Sequence, residues 1–171
     1  MTTLRAGLKT AVAIVVAATS LTLSAPSLSN DFSARRSSAD IEGRVVGIAD
    51  GDTLTVLRDQ TQFRVRLAEI DAPEKAQAFG QRAKQSLSNL CFGKLARVEN
   101  KGRDRYGRTI GRVWCAGVDI SAEQVQRGMA WVYDRYATDQ HLYALQHNAQ
   151  SSKRGLWADP EPVRPWEWRR A

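Results

Sequence analysis

Residues 50–74 read DGDTLTVLRDQTQFRVRLAEIDAPE, and this stretch sets the interpretation of the whole chain. Residues 53–57 and 63–70 alternate apolar and polar side chains on either side of a polar turn, which predicts two β-strands joined as a hairpin. The Asp-Gly pair in front of them is a turn signal. Pro73 ends the run because proline lacks the N–H that a strand ladder needs. The folded part of the chain is therefore expected to begin with β-structure.

Both ends of this stretch carry acidic side chains, and arginines lie between them. Carboxylates that a folded chain keeps close together repel, so such a cluster needs a hard cation or arginines to offset its charge. An EF-hand is excluded, because Thr55 and Thr61 stand where that loop needs glycine and glutamate. Acids beside arginines are the residue types that phosphodiester chemistry uses. The residues concerned are Asp50, Asp52, Glu69, Asp71 and Glu74, with Arg64 and Arg66.

The periodicity along the rest of the chain predicts a mixed α+β architecture. The helix near residue 122 is expected to begin at a capping box formed by Ser121 and Gln124. Three strands, a helix, two strands and two helices are compatible with an OB-fold, a five-stranded β-barrel, here with about three helices. The predicted strands are 43–49, 53–57, 63–70, 95–99 and 109–115, and the predicted helices are 79–91, 122–127 and 139–153.

The composition is that of one globular domain with a basic surface. The chain has 171 residues, of which 43% are hydrophobic and 25% are charged, and these values argue against disorder throughout. The formal net charge is +7 and the pI is near 9.8. This charge favours an acidic partner, and nucleic acid and anionic membrane are the usual two. Basic residues concentrate between Lys94 and Arg108, although a charge run is most often a solvated surface.

Residues 1–30 predict a secretory signal peptide. Arg5 and Lys9 precede an apolar run at 11–25, which is short for a membrane span. An uncleaved N-terminal anchor is the alternative, and the pattern does not define a cleavage site. Without this segment 23 basic and 18 acidic side chains remain, and the net charge is +5. We expect an exported protein, secreted or periplasmic, that contacts a membrane only if the segment is retained.

The remaining boundaries follow from composition. Residues 31–40 are Ser-rich and polar, which predicts a flexible linker, and residues 41–158 form the expected folded domain. Residues 159–171 are a tail rich in proline and tryptophan. We expect this tail to lie over the body of the domain, and stacking of its tryptophans on bases is the alternative. A monomer without a stable protein partner is expected.

The two cysteines, Cys91 and Cys115, allow one disulfide. In an exported protein an even pair of cysteines is the natural basis for such a bridge. Two unpaired buried thiols are the alternative. Zinc binding is not indicated, because pairs of cysteines or histidines at zinc-ligand spacing are absent from the sequence.

Three short motifs, in this order, resemble the staphylococcal nuclease (thermonuclease) family. The resemblance extends over about residues 45–157 and includes the helix expected between the second motif and the third. Each motif alone is weak, but all three in order with that helix are specific. The motifs are Asp50-Gly51-Asp52-Thr53, Arg66 with Asp71-Ala72-Pro73-Glu74, and Asp104-Arg105-Tyr106-Gly107-Arg108.

The resemblance implies a calcium-dependent phosphodiesterase on an OB-fold. Such an enzyme cuts DNA and RNA without sequence specificity and leaves 3′-phosphate ends. Calcium is bound by hard oxygen ligands, which the matching positions supply. The implied roles are catalysis for Arg66, Glu74 and Arg108, calcium binding for Asp52, Asp71 and the Ala72 carbonyl, and substrate contact for Arg105, Tyr106 and Tyr133.

Two features of the sequence qualify this resemblance. Strict strand alternation puts Arg66 and Asp71 on opposite faces, so their convergence requires the strand to end before Asp71. The connection after Glu74 and the segment after Tyr133 are both shorter than in the best-known secreted member. Which aromatic residue stacks on a base is therefore open. The candidates are Trp131, Tyr133 and Tyr136.

Two other functional classes compete with a nuclease. The same barrel can bind nucleic acid or protein without cutting, and a structural protein of the cell envelope would also be exported and disulfide-bonded. Domains of this kind that only bind dispense with the acids and arginines. This sequence retains them, which favours catalysis.

Overall fold

The protein is described by a computed structural model that covers residues 40–171. The predicted signal peptide or anchor at 1–30, and all but the last residue of the predicted linker at 31–40, lie outside the described residues. Within residues 40–171, every helix is too short or too polar to cross a membrane.

The described residues form eight strands, four α-helices and one 3₁₀-helix. The first half contains β1 (Ile41–Ile48), β2 (Thr53–Arg58), β3 (Thr61–Leu67), β4 (Ile70–Asp71), α1 (Gly80–Cys91) and β5 (Leu95–Arg103). The second half contains β6 (Thr109–Cys115), β7 (Val118–Asp119), α2 (Ile120–Gln126), β8 (Trp131–Val132), α3 (Gln140–Ser151), the 3₁₀-helix (Gly155–Ala158) and α4 (Pro165–Trp168).

Five of these strands close into a small barrel. Antiparallel pairing runs in the order β3-β2-β1-β5-β6, and β3 also pairs with β6 in parallel, which joins the two edges. A closed barrel leaves no free sheet edge between these strands. The short strands β4 and β8 form a separate antiparallel pair. The predicted α+β class and five-stranded OB-fold barrel are confirmed, with a short fourth helix in the tail.

The barrel interior is filled by the apolar positions that the alternation predicted. Val65 and Leu67 are fully buried, as are Leu54 and Val56 on the neighbouring strand. Helix α1 closes the core from one side with a stripe at helical spacing, and α2 and α3 add to the same cluster. The α1 residues buried there are Ala83, Leu87, Leu90 and Cys91.

A disulfide joins Cys91 at the end of α1 to Cys115 at the end of β6. The predicted bridge is therefore confirmed, and the alternative of two free thiols is excluded. The cysteines are 24 residues apart in sequence. Closing a loop of this size stabilises a fold by about 3 kcal/mol in the chain-entropy model.

Several predicted boundaries were wrong: β3 begins at Thr61 rather than residue 63, and β5 runs to Arg103 rather than residue 99. The third strand ends at Leu67 rather than at residue 70, because Glu69 adopts a left-handed backbone with φ of 67° that no strand can continue. Helix α2 begins at Ile120 rather than residue 122, because Asp119, not Ser121, caps it by accepting the Ala122 N–H.

The tail packs against the domain, as expected. A second apolar cluster contains Trp131, Ala149, Leu156 and Trp157, and Trp166 from the tail packs against it. Pro165 at the start of α4 is buried. Residues 159–171 are therefore part of the folded structure, and their course brings Arg169 to the acidic residues described next.

Candidate active site

Asp52 is held in place by two separate segments of the chain. Its own N–H donates to the Asp50 carboxylate at 3.1 Å, which forms the tight turn before β2. Its carboxylate accepts the Thr53 hydroxyl at 2.9 Å and the Ala72 N–H at 3.0 Å. Because its donors come from β2 and from the segment after β4, this buried carboxylate lies where the two meet.

Asp71 reaches the same place because the chain turns between β3 and β4. The left-handed Glu69 breaks the alternation that would have put Arg66 and Asp71 on opposite faces. The Arg66 Nη2 then lies 2.6 Å from Asp71 Oδ1 and 3.3 Å from Asp52 Oδ2. One guanidinium therefore bridges both aspartates, and the convergence that the family resemblance required is present.

The two aspartates are deeply buried, and their charge is balanced by arginines. Burial raises the pKa of Asp71, the Asp52 carboxylate raises it further, and Arg169 and Arg66 oppose the rise. Burial and Asp52 also raise the pKa of Asp50 to about 6. The pKa of Arg66 is raised because its carboxylate neighbours outweigh the effect of burial. The positive charge of Arg66 and Arg169 thus favours the ionised form of Asp71.

Glu74 meets these aspartates through Arg169, a residue of the tail. The Arg169 Nη2 lies 2.6 Å from Asp71 Oδ2, and its Nη1 lies 2.6 Å from Glu74 Oε1. The same Nη1 also donates to Asp71 Oδ1 at 3.2 Å. Sequence reasoning missed Arg169, since ion pairs between residues 98 positions apart leave no local pattern.

The backbone at Glu74 is fixed by a tight turn into α1. The Gln77 side chain accepts the Glu74 N–H at 3.1 Å, and the Gln77 N–H donates to the Glu74 carbonyl at 2.9 Å. A Cβ on Gly80 would lie 1.9 Å from that same carbonyl oxygen. Glycine is therefore needed at position 80 for the turn to place Glu74 beside Asp71.

Arg108 is aligned by an aspartate of its own motif. Asp104 accepts the Arg108 Nε at 2.6 Å and the Arg108 backbone N–H at 3.0 Å. The Arg108 Nη1 lies 3.5 Å from the Thr53 hydroxyl, which itself donates to Asp52. Arg66 thus contacts the Asp52 carboxylate directly, and Arg108 reaches it through the Thr53 hydroxyl.

A surface groove of about 320 Å³ leads away from Arg108. It is lined by Arg64, Tyr106, Gly107 and Arg108. Tyr106 is exposed, and its hydroxyl accepts Nη2 of Arg105 at 2.6 Å. The two predicted substrate contacts of this motif, Arg105 and Tyr106, therefore lie next to each other at the surface.

The aromatic candidates for base stacking differ in their surroundings. Trp131 is buried in the second apolar cluster. Tyr133 lies one residue after β8, and its ring is stacked on Trp166 of the tail, with centroids 5.0 Å apart and planes 13° apart. Tyr136 is exposed and meets Tyr133 edge to face. The role of Tyr133 stays a prediction.

Two further polar residues support the site, and sequence analysis did not identify either role. The fully buried Gln124 donates to the Gly51 carbonyl at 2.7 Å and to the Ala83 carbonyl at 3.1 Å, which ties the Asp50–Asp52 turn to α1. Arg112 pairs with three acids and so ties β6 to the turn after β3 and to the start of α3. Its partners are Glu69, Asp119 and Asp139.

The donor chemistry at Asp52 and Asp71 suits a hard divalent cation. Within residues 40–171, no group of three or more acidic, histidine or cysteine side chains is placed to hold a metal. Two adjacent buried carboxylates nevertheless supply hard oxygens, and calcium takes its other ligands from carbonyls, water and substrate. The Ala72 N–H faces Asp52, and its carbonyl as a calcium ligand stays a prediction.

Comparison with known proteins agrees with this barrel and its cluster of acids and arginines. Residues 64–159 match the family described as staphylococcal nuclease homologue. The chain is 51% identical over 128 residues to an uncharacterized endonuclease of Haemophilus influenzae, covering 74% of this chain and 72% of that protein. It is 47% identical over 144 residues to a micrococcal nuclease of Shigella flexneri, covering 78% and 83%.

A third relative, protein ParB of Escherichia coli, is 45% identical over 143 residues, which cover 77% of this chain and 81% of that protein. The chain belongs to the staphylococcal nuclease homologue family. The family resemblance inferred from the three sequence motifs is thereby confirmed.

Proposed function

We propose that this protein is an exported, calcium-dependent nuclease that hydrolyses phosphodiester bonds in DNA and RNA without sequence specificity. The observation that carries the proposal is the bridge from Arg66 to Asp52 and Asp71, with Arg108 held beside them through Thr53. Buried acids and two arginines at one point are costly to a merely structural barrel, and phosphoryl chemistry explains their presence.

Asp52 and Asp71 would hold the calcium ion. The bound cation would offset the negative charge of the phosphate and favour attack by water. With that charge offset, the N–H groups of Arg66 would be available to a phosphate. The planar fork of arginine can grip two phosphate oxygens at once, which an ammonium group cannot do.

Glu74 is the proposed general base. It takes a proton from the attacking water, whose oxygen bonds to phosphorus while the bond from phosphorus to the 5′ oxygen breaks. Arg66 and Arg108 stabilise the negative charge on the equatorial oxygens as this happens. The products are a 3′-phosphate on one fragment and a 5′-hydroxyl, which receives a proton, on the other.

The surroundings of the site support a polyanionic substrate. The groove of Arg64, Tyr106, Gly107 and Arg108 continues from the proposed reaction centre and offers guanidinium groups to the neighbouring backbone. The disulfide supports an oxidising compartment, in agreement with the predicted export signal.

The test is cleavage of plasmid DNA and of a defined single-stranded RNA by the purified protein. We expect strand breaks with calcium and none with a chelator. The fragments should be poor substrates for enzymes that extend a 3′-hydroxyl until a phosphatase removes the terminal phosphate. Binding without cleavage under all metal conditions would favour the non-catalytic binding module instead.

A further inference from the structure

We infer that Arg169 is a built-in competitor of calcium at Asp71 and Glu74, so that the C-terminal segment 159–171 raises the calcium concentration that the site requires. This inference rests on the proposed calcium site. It concerns a residue that lies outside the three family motifs.

The contacts of Arg169 occupy the acids that catalysis needs. Both oxygens of Asp71 accept N–H groups of Arg169, at 2.6 Å and 3.2 Å, and Oδ1 also accepts Arg66 at 2.6 Å. Glu74 Oε1 accepts Arg169 Nη1, the nitrogen that also donates to Asp71 Oδ1, at 2.6 Å. Asp71 Oδ1 accepts two N–H groups and has no lone pair left for a cation, whereas Oδ2 accepts one. The positive charge of the guanidinium also repels a cation. Calcium binding at Asp71 is therefore in competition with Arg169.

Arg169 is more accessible to water than Arg66, the other guanidinium on Asp71. The Arg169 side chain is 40% exposed and stands at the end of a short helix, while that of Arg66 is 16% exposed within the barrel wall. The Asp71 side chain is only 1% exposed, so water can replace its contacts mainly from the Arg169 side of the pair. Of the two guanidinium groups on Asp71, that of Arg169 is therefore the more readily exchanged.

Independent contacts anchor the segment that carries Arg169. The Val163 carbonyl accepts the Gln77 side-chain N–H at 2.6 Å, from the turn that positions Glu74. Trp166 stacks on Tyr133 with a centroid distance of 5.0 Å. These contacts hold Arg169 close to Asp71 and Glu74, so the local concentration of its guanidinium at the two acids is high. An intramolecular competitor of this kind reduces the apparent affinity by the fraction of molecules in which it is open.

The test is calcium binding by the purified protein, measured by calorimetry at fixed ionic strength without nucleic acid. We compare the unchanged protein with Arg169→Ala, Arg169→Lys and Arg170→Ala. Arg170 is the matched control, since it is the adjacent exposed arginine and its side chain has no partner among residues 40–171. If Arg169 is bound to the acids in about nine molecules of ten, Arg169→Ala should bind calcium about tenfold more tightly.

The Arg169→Lys variant distinguishes the effect of the bidentate guanidinium geometry from the effect of the positive charge. Lysine keeps the positive charge but cannot bridge Asp71 and Glu74 as a planar fork does, so its affinity should lie between those of the unchanged protein and Arg169→Ala. Arg170→Ala should match the unchanged protein. Equal affinity in the unchanged protein, Arg169→Ala and Arg169→Lys would overturn the inference while leaving the calcium site intact.

Two other outcomes also decide the question. A tighter Arg169→Ala with an unchanged Arg169→Lys would show charge at a distance rather than a bridging contact, and would overturn the inference. Calcium binding by none of the variants would remove the proposed cation site itself, and with it both this inference and the calcium dependence. The failure of the competitor and the failure of the proposed function are thus distinguishable.

Discussion

Arg66 and Asp71 are five residues apart, and the Arg66 guanidinium lies 2.6 Å from the Asp71 carboxylate. A continuous strand would hold two such residues on opposite faces. The left-handed turn at Glu69 and the pairing of Asp71 with Trp131 bring the aspartate back over the barrel end. A local break in a strand thus brings Asp71 into contact with Arg66 and Arg169.

Replacing Arg66 tests that bridge. We expect Arg66→Ala to reduce the cleavage rate by about 10³-fold or more, because arginines at a transferring phosphate contribute on this scale. Arg66→Lys should also lose most activity, since it keeps the charge without the fork. Single-turnover cleavage at saturating calcium measures the effect.

The control for Arg66 is Arg97→Ala, which removes an exposed arginine stacked on Trp114 on the barrel wall. This variant should cleave at the normal rate. Full activity in Arg66→Lys would show that Arg66 acts through charge alone and would contradict the bidentate role.

Replacing Gly80 tests the placement of Glu74. A Cβ at this position would lie 1.9 Å from the Glu74 carbonyl oxygen, so Gly80→Ala must displace the turn before α1. We expect a loss of cleavage of about tenfold to a hundredfold, because small misplacements of catalytic groups have effects of this size. The measurement is kcat at saturating substrate, with a circular dichroism spectrum to establish that the variant is folded.

Gly47→Ala is the matched control for Gly80→Ala. A Cβ at position 47 would meet its nearest neighbours at 3.4 Å, which is ordinary contact. It should therefore leave the rate within about twofold of normal. Equal rates in the two variants would mean that the turn does not control Glu74.

Removing Arg64 tests the groove. Arg64 is exposed beside Tyr106 and Arg108, and its side chain has no partner among residues 40–171. In a Glu74→Gln background, Arg64→Ala should weaken binding of a double-stranded oligonucleotide. The slope of log K against log salt should become less steep by about 0.9, which corresponds to one phosphate contact. Arg97→Ala is the control. An unchanged slope in Arg64→Ala would show that the substrate does not contact Arg64 in this groove.

The salt bridge of Asp139 predicts a pH-dependent contribution to stability. Its pKa is lowered from 3.8 by the hydrogen bond to Arg112, with further help from the His141 N–H. A lowered folded-state pKa stabilises the protein above the unfolded value, and this contribution is lost as pH falls from about 4 through the folded-state pKa. Asparagine retains the helix cap, so Asp139→Asn isolates the charge.

We expect Asp139→Asn to reduce the free energy of unfolding by about 0.5–1 kcal/mol at pH 7, the size of a partly exposed ion pair. The difference should shrink as pH falls towards 3. Urea unfolding at the two pH values measures it, with Asp59→Asn in the exposed turn between β2 and β3 as control. A constant difference across this pH range would exclude the carboxylate charge as the cause.

The barrel could be predicted from the sequence because its determinants are local. Alternation over residues 63–70 puts Val65 and Leu67 on one face, helical spacing over residues 79–91 puts Leu87 on the apolar stripe, and all three are buried. The left-handed turn at Glu69 could not be predicted from alternation, because glutamate rarely adopts it and tertiary pairing imposes it. Ser121 matched a capping pattern but instead donates its hydroxyl to the Ala68 carbonyl, since Asp119 competes successfully for the cap.

The candidate site depended on long-range contacts and was predictable only in part. The family motifs pointed to Asp52, Asp71 and Arg66, and the fold places these three in contact. No motif pointed to Arg169 or to the buried Gln124, whose partners lie 98 and 73 residues away in sequence. Periodicity predicts on which face of its own helix or strand a residue lies. It carries no information about which residues from distant parts of the sequence that face contacts.

The proposed role of Glu74 as general base is tested by comparing Glu74→Gln with Glu123→Gln, since Glu123 is paired with Arg127 on the surface of α2. Single-turnover cleavage and binding of the same oligonucleotide are measured for both, with calcium present. Glu74→Gln should lose at least about 10² in cleavage rate, as expected for a general base, while binding normally. Glu123→Gln should match the unchanged protein in both. Normal cleavage by Glu74→Gln would show that Glu74 is not the general base.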